Sequence, residues 1–285
     1  MPRAFFCVLA FLCVFALHAI RGEADGSDIW NSPRFSADGA TLNKAASSVT
    51  VKPETDVLVL DEEDTHVFEA DGKKIHTHYL VYKVLTQKGV DGWDSTSLAW
   101  QPWHEDRPTM RARVITPDNA IHMLDPKTIT DAPARDDEDK TYGDGRVLRA
   151  PLPAMAPGSV VEEEEVISES APFFGAGVVE RSYFGRAVPV QRMKLTLDAP
   201  SSLPLRYSMQ LLPDMKPQKS EANGRTQIVF EQGPTEGWEE AESYLPRNVP
   251  SQSAVTFATG ASWQGIAEGY QKLVQIIDAQ QRPCP

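Results

Sequence analysis

The sequence predicts a mainly β protein, an antiparallel β-sandwich that ends in one amphipathic helix. Short runs rich in β-branched and aromatic residues follow one another at intervals of about 10 to 20 residues, which is typical of sandwiches. Between these runs are spread 22 prolines and 18 glycines, as the turns of an all-β fold require. No helix long enough to connect parallel strands is indicated before Ser262, so parallel βαβ units are disfavoured.

The N-terminus has the pattern of a secretory signal peptide. A basic residue precedes the apolar run AFFCVLAFLCVFALHAI, and small residues follow it. Cleavage is predicted after Ala19 or after Ala24, and we assign residues 1–24 to the signal peptide. The mature chain is therefore expected to be exported to the periplasm or the extracellular space, with no membrane span after signal cleavage.

The charge limits the possible partners of the protein, and the cysteine content limits how its fold can be stabilised. The formal net charge is -12, with 40 acidic and 28 basic residues, and such a surface argues against nucleic acid as a partner. Signal cleavage would remove Cys7 and Cys13, which leaves Cys284 either free or in an intermolecular disulfide. The mature fold must then rest on the packing of a hydrophobic core.

The chain after the signal peptide divides by composition. Residues 25–54 are a predicted polar leader, which allows at most a short helix over residues 40–46 and either packs on the main body or stays mobile. Residues 55–250 are the predicted β-sandwich region. Within it, dipeptides and tripeptides typical of tight turns occur at Asp71-Gly72, Pro117-Asp118-Asn119 and Asn223-Gly224.

Two histidines have a spacing that could begin a metal site. Period-two alternation places His76 and His78 on the same face of one strand. Two imidazoles cannot complete a zinc site, since zinc takes three or four ligands and no cysteine lies nearby. We therefore predict an exposed strand pair unrelated to metal, and we expect neither a metal nor a cofactor.

Two acidic runs invite a metal-binding or catalytic interpretation. In DDEDKTYGDG, Tyr142 stands where a calcium loop requires glycine, so a solvated run of charges is predicted. In the run Glu162–Glu165, adjacent residues of a strand point to opposite faces, so at most two carboxylates share a side. The pattern favours a charged edge strand or a solvent-facing strand over a pair of catalytic acids.

The strongest binding candidate is the aromatic stretch GWDSTSLAWQPWHEDRP. It holds Trp93, Trp100, Trp103 and His104 among hydrogen-bonding residues, the combination that a sugar or peptide platform needs. The alternative is that the indoles plug one end of the sandwich. The sequence leaves both interpretations open.

No catalytic residue is predicted. The chain has no G-x-S-x-G motif, and Cys284 lies between two prolines, where a histidine and an acid are difficult to arrange around it. Because no pairing of nucleophile and base is visible, we predict that the chain is not an enzyme.

Residues 251–285 are predicted to contain a linker and one amphipathic helix. Ser262 is a good N-cap, and Pro283 ends the helix. Apolar residues recur along it at steps of three and four and form one stripe: Trp263, Ile266, Tyr270, Leu273 and Ile277. Such a stripe needs a covering surface, so the helix is predicted to dock on the β body or on a partner.

Four segments, taken in order, carry a resemblance to a known family. They are FEADGKKIHTHYLVYKVLTQKGVDGW, MRARVITPDNAIHMLD, YGDGRVLRAPLPAMAPGSVVEEEEV and FFGAGVVERSYFGRAVPVQRMKLTLDAP. Together they resemble the DUF3857-type domain of unknown function that stands at the front of secreted bacterial transglutaminase-like proteins. The resemblance covers roughly Thr55 to Gly260.

The resemblance implies an architecture rather than a mechanism. Proteins of this kind continue into a helical cysteine-hydrolase core with a triad of cysteine, histidine and aspartate. The closing segment SWQGIAEGYQKLV resembles the first helix of that core, and the triad is not in this sequence. The chain is thus expected to be a truncated or split form.

The predicted function follows from these expectations. We predict an exported, non-catalytic accessory or binding domain whose partner is a transglutaminase-like hydrolase core or another envelope protein. The alternative is a stand-alone module that binds a carbohydrate or peptide through the stretch from Trp93 to Asp106.

Overall fold

The computed structural model describes residues 28–134, 143–175, 177–238, 249–260 and 262–281. The predicted signal peptide, most of the acidic run around Tyr142, and Cys284 lie outside the described residues. The described part contains three α-helices and fourteen strands. The prediction of a mainly β fold with a C-terminal helix is therefore confirmed.

The elements have the following bounds. The α-helices are α1 (Gly39–Ser47), α2 (Gln87–Trp93) and α3 (Trp263–Gln281), and short 3-10 helices cover Asp28–Asn31 and Pro126–Thr128. The strands, in chain order, are β1 (Val57–Phe68), β2 (Lys74–Val84), β3 (Ser95–Trp100), β4 (Thr109–Ile115), β5 (Ile121–Met123), β6 (Thr130–Pro133), β7 (Arg146–Pro151), β8 (Val160–Ser168), β9 (Val179–Tyr183), β10 (Met193–Pro200), β11 (Arg206–Gln210), β12 (Gln218–Ala222), β13 (Arg225–Gln232) and β14 (Ala254–Ala258).

Eight of the strands form one large sheet in the order β12-β13-β10-β1-β2-β8-β4-β5. Neighbouring strands in it are antiparallel except β1 and β10, which run parallel. Two smaller sheets, with the orders β11-β14-β9 and β3-β7-β6, pack on one face of the large sheet, which we call the inner face. The arrangement is that of a β-sandwich.

Turn residues with positive φ join three pairs of consecutive strands. Gly72 (φ 90°) lies between β1 and β2, and Asn119 (φ 69°) lies between β4 and β5. Asn223 (φ 51°) and Gly224 (φ 74°) form the two-residue turn between β12 and β13. Glycine and asparagine adopt this backbone region at lower cost than other residues, so these positions produce the three predicted hairpins.

The main core fills the space between the large sheet and the two small sheets. Phe68 of β1, Tyr82 of β2 and Phe230 of β13 are at most 1% exposed and belong to the large sheet. Leu148 of β7 and Phe257 of β14 supply the opposing side chains from the small sheets. Because each side chain comes from a different strand, all three sheets depend on this core.

The outer face of the large sheet is covered by the leader. Helix α1 lies where the sequence allowed a short helix, and its Leu42 and Ala46 pack against Leu58 and Leu60 of β1. Asp38 caps α1 by accepting a hydrogen bond from the backbone N–H of Thr41 at 2.8 Å. The leader therefore packs on the body over the length of this helix.

The sandwich extends beyond its predicted limit at residue 250. Strand β14 lies in the predicted linker, and it is the central strand of its small sheet, paired with both β9 and β11. Helix α3 follows it, and Trp263 and Tyr270 are exposed on its surface. Among the described residues, no helix combines the length and apolarity that crossing a membrane requires.

Candidate functional site

A β-bulge in β1 determines which side chains face the space between the sheets. The pairing of β1 with β2 shifts register between Val59 and Asp61. Before the shift Val57 and Val59 enter the inner core, and after it Phe68 does so. The bulge therefore exchanges odd for even positions, so that Glu62, Asp64 and His66 lie on the inner face.

These side chains form the floor of an open cleft of 580 Å³. His76 of β2 adds to the floor, and the walls come from β9, from the segment that follows it, and from two tryptophans. The lining residues are Glu62, Asp64, His66, His76, Trp93, Glu180, Arg181, Ser182, Tyr183, Gly185, Arg186, Ala187, Val188 and Trp238.

The wall beside Trp238 requires a glycine. Gly185 has φ 133°, and a Cβ atom at this position would overlap Nε1 of Trp238. Tyr183 meets the same indole edge to face, with ring centroids 6.4 Å apart. The close approach of backbone to indole thus shapes this side of the cleft.

Asp64 stands at the centre of the floor between two imidazoles. His76 Nε2 donates to Asp64 Oδ1 at 2.8 Å, and His78 Nδ1 donates to the same oxygen at 3.0 Å. Burial raises the pKa of Asp64, but the two imidazole hydrogen bonds outweigh it and hold the pKa well below its ordinary value. Burial lowers the pKa of His78, yet Asp64 reverses the effect and the net shift is upward.

Glu62 is held by a guanidinium fork. Arg186 donates from Nε to Glu62 Oε2 at 2.6 Å and from its Nη2 to Oε1 at 2.7 Å. This bidentate geometry fixes both side chains, and both line the cleft.

His66 is a buried imidazole at the other end of the floor. It is 6% exposed and stacks on His76 with ring centroids 4.3 Å apart. Burial, together with the charges of His76 and Lys74, lowers its pKa well below the ordinary value, so the ring is neutral at pH 7. Its Nδ1 lies 3.5 Å from Glu180 Oε2 and has no hydrogen-bond partner among the described residues.

The acidic run of β8 lies inside the large sheet, between β2 and β4, so the predicted edge or solvent-facing strand is wrong. Glu162 is 2% exposed and Glu163 is 8% exposed. Burial, with the charge of Glu165 next, raises the pKa of Glu163 to about 7. Thr96 donates to Glu165 Oε1 at 2.9 Å, and His78 lies opposite Glu165 in the strand pairing.

One group of these side chains has the spacing of a metal site. Ligand atoms of Glu62, Asp64 and His78 all lie within 4.8 Å of one another. His78 is half-buried rather than exposed, which corrects the prediction of an exposed histidine pair, and its partner His76 is also half-buried. Sequence reasoning missed this group because its members come from two strands and because the bulge sets the phase of β1.

The four residues of the predicted aromatic platform do not come together. Trp93 lines the cleft and packs on Tyr82 at 4.7 Å between ring centroids. Trp100 is 9% exposed and belongs to the main core. Trp103 is 46% exposed and packs beside His104 at 4.2 Å, and neither residue lines the cleft.

The predicted docking stripe is exposed where it is described. Trp263 is 76% exposed and Tyr270 is 61% exposed. The Tyr270 ring lies 6.4 Å from that of Phe174. The side chains of Ile266, Leu273 and Ile277 lie outside the described part of the structure.

A similar fold occurs in the solved structure of a longer protein, of which this chain spans less than half. A candidate protease from Parabacteroides distasonis matches with a TM-score of 0.67 and 12% identity, over 74% of this chain and 41% of that protein. An M1 zinc metallopeptidase from Deinococcus radiodurans matches with a TM-score of only 0.37 and 10% identity, over 72% of this chain and 42% of that one. At these identities the likeness concerns the fold alone. No curated protein matches the chain in sequence.

Comparison with family profiles identifies the region that holds most of the cleft. Residues 70–237 match the Domain of Unknown Function with solved-structure structure, DUF3857. The match covers more than half of the chain and spans β2 to β13. It includes His76, His78, Glu180 and Arg186. The chain therefore belongs to the DUF3857 family.

Proposed function

We propose that the chain is a non-catalytic binding domain of an exported protein and that its cleft holds a glycan. The observation that carries the proposal is the cleft itself, where aromatic rings and fixed charged groups line one open depression of 580 Å³. That volume is in the range of ligand pockets, which is roughly 300 to 1,000 Å³. A short oligosaccharide fits this description.

The chemistry of the lining favours a sugar. Trp93, Tyr183 and Trp238 offer apolar ring surface, on which the C–H faces of sugars pack. Beside them the Glu62–Arg186 pair presents oxygens and N–H groups in fixed positions, which suits hydroxyl groups that both donate and accept. A peptide ligand is the other outcome that the experiment below distinguishes.

The arrangement of acids and hydroxyls favours binding over catalysis. Ser182 lines the cleft, and its hydroxyl makes no hydrogen bond to a histidine among the described residues. Glu163, whose pKa of about 7 suits proton transfer, is not part of the lining. The carboxylates that do line it are engaged in ion pairs, as Glu62 is with Arg186.

Replacement of Trp238 by alanine is expected to weaken glycan binding roughly tenfold, because one stacking ring is lost from the wall. Binding is measured by isothermal titration with the oligosaccharide that a glycan array selects. Trp103→Ala is the matched control, since this indole is exposed outside the cleft and its loss should leave affinity unchanged. Absence of any glycan ligand, or equal losses in the two variants, would contradict the proposal.

A second function is favoured by the surface of α3. Trp263 and Tyr270 are seven residues apart, on one face of the helix, and both are exposed. Exposed aromatic rings in this arrangement are typical of an interface. We propose that they dock the helical core of a transglutaminase-like hydrolase, for which the β-sandwich serves as an accessory domain.

Docking of a core on α3 is expected to reduce the labelling of a cysteine at position 263 by about tenfold, because the partner covers it. The measurement compares maleimide labelling of Trp263→Cys, in the Cys284→Ser chain without residues 1–24, with and without a separately produced transglutaminase-like hydrolase core. Trp103→Cys is the control, and its labelling should not change. Equal labelling of position 263 in both samples would exclude docking there.

A further inference from the structure

We infer that the cleft floor binds one divalent transition-metal ion of the zinc class, with Glu62, Asp64 and His78 as its ligands. Binding of this kind goes beyond the proposed glycan-binding function. It shares the cleft with that function but does not rest on it.

The spacing of the three ligand atoms fits a small cation. All three lie within 4.8 Å of one another, and Asp64 Oδ1 is 3.0 Å from His78 Nδ1. Zinc binds imidazole nitrogen and carboxylate oxygen at about 2.0 to 2.2 Å, which separates tetrahedral ligands by roughly 3.4 Å. The widest pair therefore needs to close by no more than about 1.4 Å, which a side-chain rotation provides.

The two carboxylates keep free lone pairs despite their present hydrogen bonds, and His78 would release its Nδ1 proton when it binds the ion. Both imidazoles donate to Oδ1 of Asp64, while no described residue donates to its Oδ2. Each oxygen of Glu62 accepts one N–H from Arg186, and a carboxylate oxygen has room for a second partner. Arg186 and His76 would then orient the ligands from outside, as hydrogen-bonded neighbours do in metal sites.

A buried imidazole on the same cleft floor lacks a hydrogen-bond partner among the described residues. His66 is 6% exposed, lines the cleft two residues from Asp64 on the same strand face, and its Nδ1 has no hydrogen-bond partner among the described residues. A buried ring nitrogen without a partner is rare in folded proteins. Glu180 Oε2 lies 3.5 Å from this nitrogen, so the floor beside Asp64 is a polar surface that the described residues leave incompletely hydrogen-bonded.

Charge and access also agree with a divalent cation. Glu62 and Asp64 carry two negative charges, and Arg186 neutralises only one of them. His78 is not among the lining residues of the cleft, but its side chain, like that of Asp64, is 21% exposed, so ions in solvent can reach both groups. Within the described residues, this is the one group of three whose ligand atoms approach so closely.

Zinc titration of the full chain, without an affinity tag and after dialysis against EDTA, tests the inference. We expect one zinc ion per chain with a dissociation constant below about 10 μM. Asp64→Asn and His78→Ala should each weaken binding by about 100-fold. His122→Ala is the matched control, because this histidine lies on edge strand β5, and its removal should leave the affinity unchanged.

Three results would overturn the inference: no binding below that concentration, wild-type affinity in both ligand variants, or an equal loss in His122→Ala. Near-UV circular dichroism shows whether each variant keeps its tertiary packing. Glu62→Gln is a third ligand variant, and visible absorption of bound Co²⁺ reports coordination directly, so the test does not depend on one substitution. Titration with the glycan in EDTA, where no metal ion is bound, tests the proposed glycan binding independently of this inference.

Discussion

Arg113→Ala is expected to lower the free energy of unfolding by about 3 to 5 kcal/mol, because it leaves a buried carboxylate without its cation. Arg113 is 4% exposed and Glu162 is 2% exposed, and Nε of the arginine donates to Glu162 Oε2 at 2.6 Å. A single charge left in such a place has neither water nor a counter-ion to stabilise it.

The Glu162 carboxylate also connects the leader to the large sheet. Its Oε1 accepts hydrogen bonds from the hydroxyl of Tyr79 and from the backbone N–H of Phe35, each at 2.6 Å. The guanidinium groups of Arg111 and Arg113 both lie over the Phe35 ring, 4.0 Å and 5.6 Å from its centroid, so at Phe35 the loss of one differs from the loss of the other only through the hydrogen bond to Glu162. Loss of Arg113 is therefore expected to weaken the packing of residues near Phe35 together with the sheet.

Arg111→Ala provides the matched control. Arg111 belongs to the same strand and donates to Glu164 at 2.8 Å, but its side chain is 51% exposed, so its removal should cost less than about 1 kcal/mol. Urea unfolding followed by circular dichroism measures both variants. Replacement of Arg113 by methionine together with Glu162 by glutamine should recover much of the loss, since no unpaired charge remains and the amide oxygen can still accept from Tyr79 and Phe35. Equal destabilisation in Arg113→Ala and Arg111→Ala would show that burial does not set the strength of the pair.

The hairpins could be predicted from the sequence because their causes are local. Gly72, Asn119 and Gly224 have positive φ in connections of two to five residues, and the residue type alone indicates such a turn. The alternation in β2 is also local, and it sends Tyr79 and Val81 to the outer face and Leu80 and Tyr82 to the inner core.

The burial of the acidic run in β8 could not be predicted from that run alone. Four consecutive glutamates resemble a solvated segment, and the cation that neutralises Glu162 lies 49 residues away in the chain. A signal was present in β4, where Arg111 and Arg113 are two residues apart, on one strand face, and pair with Glu164 and Glu162. A strand with cations at every second position is a suitable neighbour for a strand with carboxylates on the same face.

The cleft was missed for a different reason. Glu62 meets Arg186 across 124 residues, and Trp238 approaches Gly185 from a loop far along the chain. The bulge near Asp61 adds a change of phase that no periodic pattern displays. The aromatic stretch was singled out by composition, but strand β3 directs Trp100 to the core, and Trp93, the last residue of α2, lines the cleft.

Glu163→Gln is expected to stabilise the protein at pH 8 and to remove part of its pH dependence. Burial raises the pKa of Glu163 from 4.5 to about 7, and its Oε2 has no hydrogen-bond partner among the described residues. The folded state therefore binds a proton between pH 4.5 and pH 7 that the unfolded state has lost. Stability from this group is present below pH 4.5 and is lost as the pH rises through 7.

Glutamine is neutral throughout this range, so the variant should match the wild type near pH 4 and exceed it by about 3 kcal/mol at pH 8. Urea unfolding in EDTA at both pH values gives the difference. Glu164→Gln is the comparison, because it removes ion pairs with Arg34 at 2.7 Å and Arg111 at 2.8 Å on the outer face and should destabilise instead. If Glu163→Gln is no more stable than the wild type at pH 8, then the carboxylate of Glu163 is stabilised where it lies, and burial does not govern its protonation.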